Sequence, residues 1–208
     1  MNKGPFELGV RPEQGKRNDL LNIVAAVKAG KTDLEILEDM PTSARFGKEI
    51  DRTRFIVNEA KSDRALQGVR VIIIYGPTGT GKTYSAINYI AGGSDYFICE
   101  MPAKKHDKVW FSGYTGQKTL ILDDFDSIFC SLPYLKRLLD HYKLKVEIKG
   151  GFAWACWTTV VITSNRAPCM WYVDNEKDHI KPEDILAFKR RISEIRFQPE
   201  NDLDVLLS

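Results

Sequence analysis

The residues best suited to chemistry form one run, Gly76-Pro77-Thr78-Gly79-Thr80-Gly81-Lys82-Thr83. Its spacing fits G-x-x-x-x-G-K-[ST], a loop that wraps a polyphosphate. The glycines let the backbone turn tightly enough for its N–H groups to converge on phosphate oxygens. Lys82 supplies charge for the β- and γ-phosphates, and the Thr83 hydroxyl is a Mg²⁺ ligand. The helix that must open at the end of the loop adds positive potential.

Leu120-Ile121-Leu122-Asp123-Asp124 reads as a buried strand ending in two acids. One carboxylate at such a strand end can hold the Mg²⁺ shell, and the other can orient and deprotonate an attacking water. Asp123 is assigned to the metal and Asp124 to the water, with the reverse order left open. Thr159-Val160-Val161-Ile162-Thr163-Ser164-Asn165 is a further apolar strand with a polar amide at its end. Asn165 is either a turn residue or a sensor that hydrogen-bonds the γ-phosphate or the water. Lys189-Arg190-Arg191 closes a predicted helix, where cations suit the helix C-terminus. Either arginine can instead serve as a finger that stabilises transition-state charge in a neighbouring chain.

These residues need a scaffold that delivers several strand ends to one place. Val69–Tyr75 is a short β-branched run leading into the loop, and a helix is expected over about Lys82–Ala91. Further strands are expected at Tyr96–Cys99, Thr119–Leu122, Leu144–Ile148, Thr159–Thr163 and Ile192–Phe197. Helices are expected at Leu132–Tyr142 and Pro182–Arg190. Strands alternating with helices predict an α/β domain with a mostly parallel central sheet. Upstream the pattern is helical. Asn18 caps a face of Leu20, Ile23, Val24 and Val27 that Gly30 ends, and Thr32-Asp33-Leu34-Glu35 is a capping box. Met40-Pro41 stops that second helix, and a third carries Phe46, Ile50 and Val57. The expected division is a tail over 1–15, a helical domain over 16–60, a linker over 61–68, the α/β domain over 69–200 and a tail over 201–208.

Composition narrows the class. The chain has 208 residues, 43% of them hydrophobic and 28% charged, enough apolar material for a core. A net charge of +2 is too small for a protein that coats nucleic acid by charge alone, so any such contact must be local. There is no signal-peptide or membrane-spanning run. Cys99, Cys130, Cys156 and Cys169 form no paired metal-ligand spacing, and His106, His141 and His179 are scattered. The cysteines are expected reduced and buried.

Taken together, the order and spacing of these motifs resemble the helicase half of replication initiator (Rep) proteins of circular single-stranded DNA viruses. The resemblance is nearest to circovirus-like Reps, of the superfamily 3, AAA+ class. The matching residues are the loop Gly76–Thr83, Trp110-Phe111-Ser112-Gly113-Tyr114-Thr115-Gly116, Asp123-Asp124-Phe125, Lys149-Gly150-Gly151, Ile162-Thr163-Ser164-Asn165 and Arg190-Arg191-Ile192. Arg17-Asn18-Asp19-Leu20 is similar to the start of that family's oligomerisation segment. The resemblance spans about residues 15–198. It implies an ATP- and Mg²⁺-dependent ring, usually a homo-hexamer, that moves along single-stranded DNA, with the helical segment as a collar. No membrane association is expected, and the expected location is the host nucleus if the virus infects a eukaryote and otherwise intracellular. The resemblance further implies a DNA-contacting hairpin between the acid pair and Asn165. Over Lys143–Gly151, alternation puts Lys143, Lys145, Glu147 and Lys149 on one face, with glycines at the tip. Lys149 and Lys145 are the expected DNA contacts, against the plain reading of a solvated strand face.

The chain departs from the family in places. Ser112 and Gln117 stand where circovirus-like Reps tend to have acids. The family's nicking domain, with its histidine pair and Tyr-x-x-Lys nucleophile, is not expected here; Tyr142-Lys143-Leu144-Lys145 fits the spacing only by coincidence. Trp154, Trp157 and Trp171 are either base-stacking platforms or core packing, and Tyr84 is a candidate adenine neighbour. The competing readings are a non-motor P-loop enzyme and an oligomeric DNA-binding scaffold.

Overall fold

The computed structural model describes residues 18–62, 68–99, 101–102, 108–128, 130–172 and 180–199. The tails over 1–15 and 201–208, Arg17, His106 and His179 lie outside the described residues, as does most of the expected linker. The chain separates into two compact units, 1–54 and 55–208.

The first unit is helical. Helix α1 (Asn18–Lys28) buries Ile23, Ala26 and Val27. Helix α2 (Asp33–Asp39) opens with the capping box the sequence predicts. The Glu35 N–H donates to Thr32 Oγ1, and the Thr32 N–H donates to Glu35 Oε2 at 2.7 Å. Accepting that N–H and the Thr32 hydroxyl lowers the Glu35 carboxyl pKa. Pro41 ends α2, but the chain does not break there. It continues as a 3₁₀ turn over Pro41–Phe46 and then directly as α3 (Gly47–Lys61), since proline suits a first helical turn. The division between units falls inside α3, ahead of the linker expected at 61–68. The reason is that the last turns of α3 pack on the second unit: Asn58 Nδ2 donates to the Thr115 carbonyl at 2.8 Å, and the Cys156 thiol meets the Asn58 carbonyl.

The second unit is α/β, as expected. Its strands are β1 (Arg70–Tyr75), β2 (Tyr96–Cys99), β3 (Thr119–Leu122), β4 (Lys145–Ile148), β5 (Gly151–Trp154), β6 (Thr159–Ser164) and β7 (Glu194–Phe197). Five of them form a sheet in the order β2-β3-β6-β1-β7, with every neighbouring pair parallel. A parallel sheet is covered on both faces, which is why β1, β3 and β6 read as near-continuous apolar runs. Val71, Ile72, Ile73, Leu120, Ile121, Leu122, Val160, Val161 and Ile162 are each fully buried. Each such side chain contributes about 1.5–3 kcal/mol of burial. Helices α5 (Leu132–Leu139) and α6 (Pro182–Lys189) complete the unit, α5 burying Leu132, Leu135, Leu138 and Leu139.

One local form differs from expectation, and the expected hairpin is present. The helix after the phosphate loop is α-helical only over Lys82–Ser85 (α4) and continues as a π-turn over Ala86–Ile90, closed by the Ala91 N–H on the Ala86 carbonyl at 3.0 Å. The wider turn brings Tyr84 and Tyr89, five apart, edge to face at 5.8 Å. Strands β4 and β5 form a separate antiparallel hairpin, with Lys145 opposite Trp154 and Glu147 opposite Phe152. Among the described residues, no helix is long and apolar enough to cross a membrane.

Candidate functional site

Parallel strands end at one edge of their sheet, and the chemistry-bearing loops collect there. The loop Gly76–Thr83 follows β1, the acid pair follows β3 and Asn165 follows β6. Because β6 lies between β1 and β3, these three segments are neighbours; Tyr75 is in register with Ser164, and Leu122 with Ile162. The Gly76 N–H donates to the Ser164 carbonyl at 3.2 Å, joining the loop to that edge.

Within the loop, Gly79 and Gly81 have φ of +81° and +79°, the left-handed region that glycine enters without strain. Gly76 is glycine for another reason. A Cβ there would lie 2.0 Å from the Gln198 carbonyl oxygen. Lys82 is only 6% exposed, and its ammonium donates to the carbonyls of Gly76 at 3.1 Å and Pro77 at 2.5 Å. The amine thus lies across the mouth of the loop, where a phosphate oxygen would compete for its protons. Thr80 Oγ1 donates to the same Pro77 carbonyl at 3.0 Å.

Asp123 lies beside the loop. Its Oδ1 accepts hydroxyl hydrogen bonds from Thr83 and from Thr163, each at 2.7 Å. Thr83 and Asp123 therefore present two hard oxygen ligands side by side, the donor set Mg²⁺ takes. Thr163 is a component that sequence reasoning missed. It is fully buried, donates to Asp123, and accepts the Asp124 N–H at 2.9 Å, so one hydroxyl sets the positions of both acids. A buried-strand threonine directly after the apolar run Val160–Ile162 is the signal that could have found it. Asp124 is exposed and held at φ +45°, a conformation unusual for a side-chain-bearing residue. The Phe125 N–H donates to the Thr163 carbonyl at 2.7 Å and the Ser164 hydroxyl to the Phe125 carbonyl at 2.8 Å, which locks the turn after the acids. Asn165 is exposed at the end of β6 on the same edge.

Arg190 and Arg191 are not brought to this edge. They precede β7, and Ser193 bonds Val71 near the start of β1, so they stand at the opposite end of the sheet. Arg191 is tied down, Nη1 donating to the Ala187 carbonyl at 2.6 Å and Nη2 to Asp140 Oδ2 at 2.7 Å. Partial burial raises the Asp140 carboxyl pKa, but the hydrogen bond from Arg191, with the His141 N–H and charge, outweighs it and leaves the carboxyl below its ordinary range. Arg190 is exposed.

The lysines of the hairpin also separate. Lys145 holds its ammonium 4.6 Å from the Trp154 ring centroid and 5.8 Å from that of Phe55, a cation–π anchorage. Lys149 is exposed at the turn, and its N–H donates to Ser112 Oγ at 3.2 Å. The Phe111 N–H donates to the Glu147 carbonyl at 2.9 Å, so the segment carrying Trp110 runs along the hairpin. Ser112, a departure from the family pattern, thus holds the tip. The outer face presents Trp110 and Phe152, 41% and 56% exposed, beside Lys149. Trp157 and Trp171 are core residues. Trp157 is fully buried, stacks on Phe111 at 5.7 Å and donates Nε1–H to the Leu138 carbonyl, while Trp171 packs on Phe125 at 4.7 Å. Tyr84 is exposed and meets Tyr89.

The cysteines correct one expectation. Cys99, Cys130 and Cys156 are buried thiols, but Cys169 is exposed, because it sits on the short 3₁₀ turn Pro168–Met170. Burial pushes the Cys130 thiol up to about 12. Among the described residues, no group of three or more His, Cys, Asp or Glu side chains could hold a metal.

Comparison with known proteins finds sequences similar to this chain. A family model described as RNA helicase matches residues 72–166, from β1 to the residue after Asn165. The replication-associated protein of Goose circovirus is 33% identical over 193 residues, covering 91% of this chain and 58% of that protein. Its counterpart from Pigeon circovirus is 33% identical, covering 79% and 48%, and that of Porcine circovirus 1 is 30% identical, covering 92% and 57%. The chain spans about half to three fifths of the length of these relatives.

Proposed function

We propose, from the match to an RNA helicase family model and the likeness to circovirus replication-associated proteins, that the chain carries a superfamily 3 helicase domain and is an ATP-driven motor that moves along single-stranded DNA as a homo-oligomeric ring, a hexamer. The observation that carries this reading is the Thr83–Asp123–Thr163 cluster at the mouth of a loop that already holds Lys82.

In this mechanism the Gly76–Thr83 loop binds the β- and γ-phosphates of ATP, Lys82 neutralises their charge, and Thr83 with Asp123 holds Mg²⁺. The metal polarises the γ-phosphoryl group when bound. Asp124, held beside Asp123 by Thr163, accepts the proton of the attacking water, and Asn165 orients that water. A chain that places Arg190 at the far end of its sheet leaves Lys82 as the cation its own loop supplies, with no arginine finger from the same copy. Arg190 of a neighbour supplies it, while Arg191 keeps its pair with Asp140 and positions the turn. Lys149 at the hairpin tip meets the DNA backbone, with exposed Phe152 and Trp110 offering faces for bases.

The test is the rate of ATP hydrolysis per chain as a function of protein concentration, alone, with single-stranded DNA and with single-stranded RNA. A rate per chain that rises with concentration and rises again with DNA supports a DNA motor with shared sites. Stimulation by RNA and not by DNA assigns the track to RNA, as the matched family's description says of its members. A rate indifferent to concentration and to either nucleic acid overturns the motor and leaves a P-loop enzyme of another kind.

A further inference from the structure

We infer that Gln198 is a positioning residue for the phosphate loop: its side-chain amide holds the Thr80 carbonyl outward and so turns the Gly81 N–H toward the phosphates. The inference rests on the reading of Gly76–Thr83 as an ATP site and goes beyond it by adding a residue far away in the sequence.

Gln198 is the residue after β7, the edge strand next to β1. Phe197 is in register with Tyr75, so the chain leaves the sheet beside the start of the loop. Three contacts fix it there. The Gln198 N–H donates to the Tyr75 carbonyl at 2.8 Å. Its own carbonyl comes so close to Gly76 that a Cβ on that residue would sit 2.0 Å from it. Its side-chain Nε2 then reaches across and donates to the Thr80 carbonyl at 2.5 Å. One residue therefore touches both ends of the loop.

The Thr80 bond has a directional consequence. The Thr80 carbonyl and the Gly81 N–H belong to one peptide plane, and in a trans peptide they point in opposite directions. The described chain has no cis peptide bond. Pulling the carbonyl toward Gln198 on the β7 side therefore points the Gly81 N–H away from β7. Gly81, at φ +79°, is also the residue that caps α4, so its orientation sets where the helix and Lys82 begin. Lys82 and Thr80 already engage the carbonyls of Gly76 and Pro77. With Gln198, the carbonyls of Gly76, Pro77 and Thr80 each have a donor.

The test is Gln198→Met, which keeps side-chain length and every backbone contact and removes only the donor. Loss of one oriented hydrogen bond predicts a KM for ATP about three- to tenfold higher. The kcat at saturating ATP should stay within about twofold and the thermal midpoint of the nucleotide-free protein unchanged. An unchanged KM overturns the inference, as does a rise in KM accompanied by a clear fall in the midpoint, which would assign Gln198 to the fold. If the wild-type chain neither binds nor hydrolyses ATP, the reading of the loop fails and the inference falls with it, so the wild-type control separates the two failures.

Discussion

Thr163→Val isolates the buried hydroxyl that links the two acids. The replacement matches threonine in shape, sits at a fully buried position in β6, and keeps the Phe125–Thr163 backbone bond. What it removes is the bond to Asp123 Oδ1 at 2.7 Å and the acceptor for the Asp124 N–H at 2.9 Å. A hydrogen bond to a charged group is worth about 1.5–3 kcal/mol. If that loss falls on the transition state, at about 1.4 kcal/mol per factor of ten, kcat drops about 10- to 150-fold. Nucleotide affinity should hardly change, because Lys82 and the loop N–H groups are untouched. Steady-state ATP hydrolysis at saturating nucleotide reads kcat, and titration with a fluorescent nucleotide reads affinity. Thr163→Ser restores the hydroxyl and should recover most of the rate. Turnover of Thr163→Val within about twofold of wild type would refute the reasoning. So would a Thr163→Ser variant as slow as Thr163→Val, since packing and not the hydroxyl would then be responsible.

Arg190→Ala should abolish turnover with little effect on melting, whereas Arg191→Ala should also cost about 1 kcal/mol through loss of its pair with Asp140, a fall of about 2–4 °C in the thermal midpoint; mixing Arg190→Ala with Lys82→Ala should recover part of the activity if the sites are shared. Lys149→Ala should weaken single-stranded DNA binding and reduce the salt slope by about 0.7, while Lys145→Ala, whose ammonium lies over Trp154, should change the slope less; fluorescence anisotropy at several salt concentrations measures both. A maleimide at neutral pH should modify Cys169 rapidly and leave Cys130 unreacted in the folded protein, because burial pushes the Cys130 thiol up to about 12; mass spectrometry of a time course reads the order.

The sheet was legible because burial on both faces leaves an apolar signature in β1, β3 and β6, and because the phosphate loop marks where a strand must end. The capping box at Thr32 was legible for a similar reason: local hydrogen bonds between residues three apart are written in adjacent letters. Strand β5 was not. Gly151-Phe152-Ala153-Trp154 is too short for a pattern, and its form comes from pairing with β4. The π-turn after Ser85 also has no local signature. Within the site, Lys82, Thr83, Asp123 and Asp124 came from motif spacing. Thr163 and Gln198 act through register, Thr163 on the acids and Gln198 on the loop, and register is a property of the folded sheet that a single sequence does not display. The arginines were ambiguous in sequence because neighbouring cations are alike there; in the structure Arg191 is tied to Asp140 and the Ala187 carbonyl while Arg190 is exposed.

If Arg190 completes a neighbour's site as proposed, the positions of the Gly76–Thr83 loop and Arg190 at opposite ends of one sheet constrain how copies can associate. Strand β7, four residues and about 13 Å long, separates them. A two-fold contact centred on the loop alone, or on Arg190 alone, faces that patch with its own copy and completes no site. A head-to-tail contact joins a loop to an arginine and repeats the same rotation at every step. An open string of chains always has one completed site fewer than it has chains, with a bare loop at one end and an idle arginine at the other. Closure into a circle removes both ends at once. The final subunit to join therefore completes two sites where every earlier one completed a single site, so activity per chain should rise most sharply at the step that closes the assembly.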